Sequence, residues 1–420
     1  NIDLINELYK SGSYIVLFSS RPESIYEKTS EDLKNVGLKY HKLILGATSG
    51  VRYLVNDIKP SNESINTAEA INTIRNEPIP ITDFRKIDFI KDCTKGSGAI
   101  TTILKNQEDN ILTVRKWTNS KNESVTKTLS RQYSYLKLMQ KYIKTSVPEI
   151  LDWQFGSKGI SYYDMSYIEG FVLSLKLIKS NPSYLENLSN ILCSLYESNP
   201  INKEKEDFNV LLNQIINIKL MPTIANSEKI LKNRIKDKDL ITFEFISKLK
   251  NGLDKISKKK YLWKSHKASL IHGDLTLENI FLCKESIYLI DPLGSTMDIR
   301  GNGSMQQLTT PIFDIGKLFQ SIISKYESWA YLDENNIKIY IKNFSLEEEF
   351  SNISETIKSN NCLLDFFEQY IDGNIIEDSL FSLAQILIRV TPYRIRTNYY
   401  HSALVCLLKA YSIIEYMNKI

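Results

Sequence analysis

The side chains best suited to chemistry lie in residues 270–292, LIHGDLTLENIFLCKESIYLIDP. Two strand-like runs with a polar turn between them separate Asn279 from Asp291. In a hairpin the start of one strand lies beside the end of the other, so we expect Asn279 and Asp291 side by side, with Asp274 just ahead. Magnesium prefers such carboxylate and amide oxygens, completed by phosphates and waters. We therefore predict phosphoryl transfer, with Asp274 as the base that orients the attacking hydroxyl. The alternative is an ordinary turn in which these residues cap a helix.

The motif H-G-D-x-x-x-x-N, followed by I-D-P, resembles the aminoglycoside phosphotransferase and choline kinase superfamily, which is similar in fold to protein kinases. The resemblance extends from about residue 90 to the end of the chain. It implies a domain that uses ATP and Mg²⁺, with Asp274 as the catalytic base. It also implies that Asn279 and Asp291 bind the magnesium.

The nucleotide is expected in the strand-rich part that precedes this motif. Gly96, Ser97 and Gly98 stand between candidate strands, where backbone amides approach phosphates closely. A plain hairpin turn is the alternative there. Lys116 in ILTVRKW is predicted to reach the α- and β-phosphates. Arg115 is the neighbouring alternative, because side chains alternate along a strand and only one of the two can face the cleft.

Two further segments bear on nucleotide binding. YYDMSYIEG resembles the hinge of the family, which implies that adenine takes hydrogen bonds from backbone groups at Ser166, Tyr167 and Ile168. The helix that follows Lys116 carries Gln132 where a protein kinase has a glutamate that pairs with the lysine. The partner of Lys116 is therefore open, and a hydrogen bond from Gln132 is one answer.

Beyond the I-D-P motif, a glycine-bearing loop takes the place of a kinase activation segment. Its D-x-R-G tetrad, with Arg300, resembles kinase-like proteins of bacterial surface-sugar gene clusters. The FDIGKL segment resembles the helix in which an aspartate, here Asp314, supports the catalytic loop. Arg389, Arg394 and Arg396 lie close together downstream and are candidates for binding an acidic or sugar acceptor. A solvated helix end is the alternative for these three arginines.

Residues 1–60 alternate between helical and strand-like patterns, which indicates an α/β layer. Buried parallel strands are predicted at residues 14–18 and 52–57. The segment resembles the second half of a haloacid-dehalogenase-type phosphatase of the capsule-biosynthesis kind, which implies that Ser19 binds phosphate and Asp57 binds metal. The nucleophilic D-x-D motif and the phosphate-binding lysine have no counterpart, so we expect no phosphatase activity from the chain as given. A docking module is the alternative, and the start at Asn1 within a helical pattern predicts upstream residues.

Composition excludes several classes of protein. The 420 residues carry a net charge of +4 without a long basic block, so a nucleic-acid partner is not expected. The five cysteines are isolated in the sequence, which supports neither a zinc ribbon nor a disulfide framework. Neither an apolar run of membrane-spanning length nor a signal peptide is present in the sequence, and we expect a cytoplasmic protein.

These patterns predict an α+β two-lobed protein-kinase-like domain after a partial Rossmann-like α/β segment. We place the segment at residues 1–85, the small nucleotide-binding lobe at 86–168 and the large helical lobe at 169–420. The predicted function is ATP- and Mg²⁺-dependent phosphorylation of a small molecule, for example a sugar of surface-polysaccharide assembly. The alternatives are a choline- or aminoglycoside-type kinase and a pseudokinase scaffold. The acceptor, the choice between ATP and GTP, and the oligomeric state stay open.

Overall fold

The structure, a computed structural model, describes most of the chain in thirteen stretches. They are residues 2–10, 12–47, 87–92, 99–106, 111–119, 122–155, 160–181, 183–198, 215–235, 243–259, 269–293, 310–370 and 374–420. The chain divides into two compact units, one of Asn1–Ser130 with Ile150–Tyr167 and one of Arg131–Glu149 with Ile168–Ile420. The predicted boundary at residues 85 and 86 lies outside the described residues, and the three-part division stays a prediction.

The first unit begins with a small α/β arrangement. Its elements in chain order are α1 (Ile2–Lys10), β1 (Val16–Phe18), a 3₁₀ turn (Glu23–Ile25), α2 (Tyr26–Asn35) and β2 (Lys42–Ile44). Strands β1 and β2 pair in parallel, with α2 as the crossover.

The first of the two strands predicted in this segment needs correction. The first is shorter than residues 14–18 and is not buried, since Phe18 is 58% exposed. Its parallel partner is β2, a three-residue strand that the sequence patterns did not reveal. Residues 52–57, the predicted partner, lie outside the described residues. The resemblance of this segment to a phosphatase core therefore stays a prediction.

A five-stranded sheet forms the rest of the first unit. Its strands are β3 (Ile87–Asp92), β4 (Ile100–Asn106), β5 (Leu112–Asn119), β6 (Ile150–Gln154) and β7 (Ile160–Ser166). The order is β3-β4-β5-β7-β6, and every neighbouring pair is antiparallel. The strand-rich region predicted ahead of the helical one is confirmed.

Alternation along β5 distinguishes Arg115 from Lys116. The Arg115 guanidinium makes two hydrogen bonds of 2.7 Å to the carboxylate of Asp164 and stacks 4.0 Å from the ring centroid of Tyr162. Lys116 is the next residue of the strand, so its side chain leaves the opposite face of the sheet. Burial raises the pKa of Asp164, and the two hydrogen bonds from Arg115 offset this only in part. Arg115 is thus committed to an ion pair inside the sheet.

The second unit is mostly helical. Helix α3 (Glu123–Met139) enters it, and the helices that follow are α4 (Leu175–Ser180), α5 (Ser183–Glu197), α6 (Met221–Arg234), α7 (Glu244–Ser257), α8 (Ile312–Ile322), α9 (Tyr326–Trp329), α10 (Glu334–Lys342), α11 (Leu346–Ser359), α12 (Asn361–Glu368), α13 (Ile375–Arg396) and α14 (Tyr400–Met417). A π-helical turn (Ile215–Leu220) precedes α6, and 3₁₀ turns lie at Lys144–Ser146 and Leu277–Asn279. The unit also holds a three-stranded sheet of β8 (Phe171–Val172), β9 (Ile280–Cys283) and β10 (Ser286–Leu289). Within the described residues, no helix is both long and apolar enough to cross a membrane.

Helices α8, α13 and α14 form the centre of this unit. Almost every side chain of α8 is buried, as are most of those in α13 and α14. Gly316 lets α8 approach α13 closely, because a Cβ at this position would lie 2.7 Å from the Cβ of Ser382. This contact fixes where the next residues of α8 lie.

The Arg115–Asp164 pair gives a first prediction. Replacing Asp164 with alanine leaves a buried guanidinium without its carboxylate, and we expect a loss of about 3–5 kcal/mol in the free energy of unfolding. Chemical denaturation measures the loss, and faster amide hydrogen exchange in β5 and β7 locates it. Asp254→Ala is the matched control, since Asp254 pairs with Lys258 at 2.7 Å on an exposed surface where solvent screens the charges. Equal losses in the two variants would contradict the prediction.

Candidate active site

A buried carboxylate on α8 holds the loop that carries the H-G-D motif. Asp314 is fully buried and accepts hydrogen bonds from the backbone N–H groups of His272 (2.8 Å) and Gly273 (2.7 Å) and from the Tyr196 hydroxyl (3.0 Å). Gly273 has a φ of 81°, a left-handed conformation that glycine adopts without strain. Burial raises the pKa of Asp314, and the donors offset part of this rise. The supporting contact predicted for Asp314 is present.

His272 links this loop to the end of the hairpin. Its Nδ1 accepts a hydrogen bond from the backbone N–H of Asp274 (3.3 Å), so the proton must sit on Nε2, which donates to the carbonyl of Ile290 at 2.8 Å. The carbonyl of His272 accepts from the N–H of Leu293 at 2.8 Å. The backbone is therefore tied to His272 on both sides of Asp291.

The predicted hairpin is confirmed, with its register moved by one residue. Cys283 pairs with Ser286, so the turn contains two residues rather than the three expected. Lys284, the first of them, takes a left-handed φ of 57° and makes the short turn possible. As a result Asn279 lies opposite Ile290, whose N–H donates to its carbonyl at 2.9 Å, and Asp291 follows one residue later.

Asp291 has an unusual backbone conformation. Its φ is 58°, a left-handed value that is uncommon outside glycine and that aspartate and asparagine tolerate best. Such conformations persist where the surroundings impose them, and they concentrate at functional sites. Here the hydrogen bonds of Ile290 and Leu293 to His272 impose it.

Asn279 contacts the predicted base directly. Its Nδ2 donates to the backbone carbonyl of Asp274 (2.8 Å) and to the Asp274 Oδ2 (3.1 Å). With the amide nitrogen directed at these acceptors, the amide oxygen faces another direction and can coordinate a cation. An amide oxygen of Asn279 and a carboxylate of Asp291 are hard donors, so these residues fit a magnesium ion.

Lys317 is a site residue that sequence reasoning missed. Its Nζ lies 2.9 Å from the Asp274 Oδ1 and 3.1 Å from the Gln320 Oε1. Burial alone raises the pKa of the Asp274 carboxyl, but the charge and hydrogen bond of Lys317, aided by the hydrogen bond from Asn279, outweigh it and hold the pKa below its ordinary value. The available signal was the i, i+3 spacing from Asp314, which puts both residues on one helix face.

A third residue of α8 completes the support of the loop. The Ser321 Oγ accepts a hydrogen bond from the backbone N–H of Leu277 at 3.0 Å and donates to Glu327 at 2.6 Å. Asp314, Lys317 and Ser321 thus follow the i, i+3, i+7 pattern of one helix face. This face, which we call the α8 stripe, contacts the loop at its beginning, at Asp274 and at its end.

The predicted nucleotide contacts are described only in part. Gly96, Ser97 and Gly98 lie outside the described residues. Lys116 is buried, with 3% of its surface exposed. In the predicted hinge, the N–H of Tyr167 donates to the carbonyl of Leu112 at 3.3 Å. This hydrogen bond engages the N–H of Tyr167 in the sheet, and the assignment of Tyr167 as an adenine contact stays a prediction.

Ser166 and Ile168 flank Tyr167 of the predicted hinge. Ser166 ends β7 opposite Thr113, and Ile168 begins the second unit. Their assignment to the adenine site stays a prediction.

The acceptor arginines separate into two groups. Arg394 is 2% exposed, and its guanidinium donates to the Tyr326 hydroxyl and lies 4.6–5.8 Å from the ring centroids of Tyr326, Tyr331, Tyr393 and Tyr399. A cation enclosed by its own aromatic neighbours serves packing, so the assignment of Arg394 to acceptor binding is corrected. Arg389 and Arg396 are exposed on α13. Arg300 lies outside the described residues.

Comparison with known proteins finds distant structural likenesses. No protein-family model and no curated protein sequence matches the chain. A thermostable mutant of the aminoglycoside phosphotransferase APH(4)-Ia is similar over 78% of this chain and 94% of its own, with 9% identity and a TM-score of 0.46. A fructosamine-3-kinase from Haemophilus somnus 129PT gives 14% identity and a TM-score of 0.43, over 78% of this chain and 91% of its own. A glucosamine kinase gives 9% identity and a TM-score of 0.38, over 77% of this chain and 92% of its own. Likenesses this low establish no activity for this chain.

The α8 stripe gives a second prediction. Asp314→Asn replaces one acceptor oxygen with an N–H group that faces a donor of the loop, and we expect a loss of about 1–3 kcal/mol in stability. Amide hydrogen exchange of residues 270–279 should become faster in the same variant. Glu355→Gln on the exposed face of α11 is the control and should leave both unchanged. Unchanged hydrogen exchange of residues 270–279 in Asp314→Asn would show that the carboxylate does not hold this loop.

Proposed function

We propose that this chain is a kinase that transfers the γ-phosphoryl group of ATP to a hydroxyl group of a small molecule, with Mg²⁺ as cofactor. One observation carries the proposal: the Asp274 carboxylate is kept ionised and held between Lys317 and Asn279 on a loop fixed by α8. Positioned carboxylates of this kind orient hydroxyl nucleophiles in phosphoryl transfer.

Asp274 is the proposed base of the reaction. The acceptor oxygen forms a bond to the γ-phosphorus while its proton passes to the Asp274 carboxylate. The bond between the γ-phosphorus and the bridging oxygen breaks, and ADP leaves with the electron pair. An ionised aspartate with a lone pair directed at the hydroxyl fits this step, since its acceptor oxygens are not consumed by two hydrogen bonds.

Asn279 and Asp291 are the proposed magnesium ligands. Their oxygens fit a hard divalent cation, which in phosphoryl transfer neutralises charge on the phosphates. The hydrogen bonds of Ile290 and Leu293 to His272 hold the left-handed backbone of Asp291 at one place relative to the catalytic loop, as this role requires.

On the nucleotide side, Lys116 is the proposed phosphate ligand, together with the backbone of Gly96, Ser97 and Gly98. Arg115 is unsuitable because Asp164 already binds its guanidinium in the sheet. Backbone groups of Ser166, Tyr167 and Ile168 are the proposed adenine contacts.

The proposed acceptor is a sugar or sugar derivative of surface-polysaccharide assembly. The support is the resemblance of residues 1–60 to capsule-type phosphatases and the D-x-R-G tetrad. Arg300, Arg389 and Arg396 are the proposed acceptor contacts, since guanidinium groups bind anionic or hydroxyl-bearing groups bidentately.

Gln132 favours one rival, a nucleotide-binding scaffold without turnover. Gln132 stands in the sequence where a protein kinase has the glutamate that pairs with its lysine, and Gln132 is largely buried. Thermal stabilisation by MgATP together with a phosphate-transfer screen against sugars and amino alcohols separates the two functions. The kinase consumes ATP slowly with water and faster with an acceptor of the right class, whereas the scaffold is stabilised by MgATP without any consumption. A protein that is not stabilised by MgATP would rule out both.

Asp274→Asn gives the third prediction. The amide keeps the shape of the side chain but cannot take the proton, so we expect kcat to fall by at least about 100-fold. Stabilisation by MgATP should survive, because the magnesium ligands are unchanged. Acceptor-dependent ADP release measures kcat, and Asp254→Asn on α7 serves as the surface control. Turnover retained in Asp274→Asn would refute the assignment of the base.

Asp291→Asn gives the fourth prediction. Asparagine tolerates the left-handed backbone, so the substitution removes the charge with little change in conformation. The Mg²⁺ concentration needed for half-maximal stabilisation by ATP should rise about tenfold or more, since a ligating carboxylate is exchanged for a neutral amide. A magnesium titration by thermal shift makes the measurement. An unchanged titration would place the cation elsewhere.

A further inference from the structure

We infer that Lys317 is a positioning residue for phosphoryl transfer: its ammonium group holds the Asp274 carboxylate in the orientation that receives the acceptor proton. This inference rests on the proposed kinase function. The ammonium group itself gives up no proton in the reaction.

The contacts around Asp274 form a two-sided clamp. Lys317 binds Oδ1 at 2.9 Å and Asn279 binds Oδ2 at 3.1 Å, so rotation of the carboxylate breaks both contacts. Gln320 holds the ammonium group from the other side at 3.1 Å. The Lys317 side chain is only 16% exposed and that of Asp274 29%, so solvent screens this ion pair weakly.

The position of Lys317 is set by the packing of its helix. The preceding residue, Gly316, lies so close to Ser382 of α13 that an added Cβ would clash. Asp314 and Ser321 attach the same face of α8 to the loop. The backbone of Lys317 is therefore placed relative to Asp274 by close packing on one side and by hydrogen bonds to the loop on the other.

The loop offers no substitute cation. Residues 270–279, LIHGDLTLEN, contain neither lysine nor arginine. His272 is oriented as a neutral tautomer, with Nδ1 facing the N–H of Asp274. The positive charge beside the base thus comes from α8.

The test compares Lys317→Met and Lys317→Arg with the wild type. Methionine removes the charge at similar length, and we expect kcat to fall about 10- to 100-fold, the value of a charge-assisted hydrogen bond. In Lys317→Met, the KM for ATP and the stabilisation by MgATP should both stay within about twofold of their wild-type values, because no contact joins Lys317 to Asn279 or Asp291 among the described interactions. Arginine keeps the charge and should restore part of kcat. A purely structural role would not produce this separation.

Lys338→Met is the matched control. Lys338 forms an ion pair of 2.7 Å with Glu334 on α10, and its loss should leave kcat unchanged. Where the screen identifies no acceptor, slow hydrolysis of MgATP, with water as the acceptor, supplies kcat.

The outcomes separate this inference from the proposed function. If the wild type is active and Lys317→Met has the same kcat, the inference is overturned and the proposed kinase function stands. Loss of MgATP stabilisation in parallel with kcat also overturns it, since Lys317 would then act on folding or nucleotide binding. A wild-type protein that neither binds nor hydrolyses MgATP overturns the proposed function, and this inference with it.

Discussion

The candidate site depends on one buried charge. The Asp314 carboxylate has no access to solvent, and a buried charge is stable only when protein donors replace the lost water. Two of its three donors are the consecutive backbone N–H groups of His272 and Gly273, and the left-handed φ of Gly273 sets the direction in which the chain continues to Asp274. The carboxylate and the loop therefore specify each other, and the next residue, Asp274, receives its position from this arrangement.

Helical periodicity carries that constraint along the loop. Asp314, Lys317 and Ser321 repeat at the spacing of one helix face, and each contacts a different part of the loop. A shift of α8 would break all three contacts at once, and the close approach at Gly316 opposes such a shift. The packing of α8 against α13 thus sets the position of the proposed base, Asp274, through these three contacts.

What the sequence predicted well is what is local in the chain. The hairpin follows from two short apolar runs and a polar turn, whereas its register depended on the conformation of Lys284, which no pattern displays. Lys317 escaped notice because its contact with Asp274 spans a long stretch of chain and exists only in the folded unit. Arg394 was misassigned for the same reason, since two of its four tyrosines, Tyr326 and Tyr331, come from α9 and the turn after it. Strand β2 was missed because three residues carry almost no periodicity.

The arrangement also separates chemistry from specificity. The groups proposed to move the proton and hold the cation are attached to α8 and to one hairpin, and none of them depends on which molecule supplies the hydroxyl. The proposed acceptor contacts, Arg389 and Arg396, lie on the exposed side of α13 and take no part in the α8 stripe. Substitutions among them can change the acceptor without disturbing Asp274, so a shared fold leaves the acceptor undetermined. In the proposed kinase, the acceptor is therefore distinguished by residues outside the α8 stripe, while the stripe positions the base.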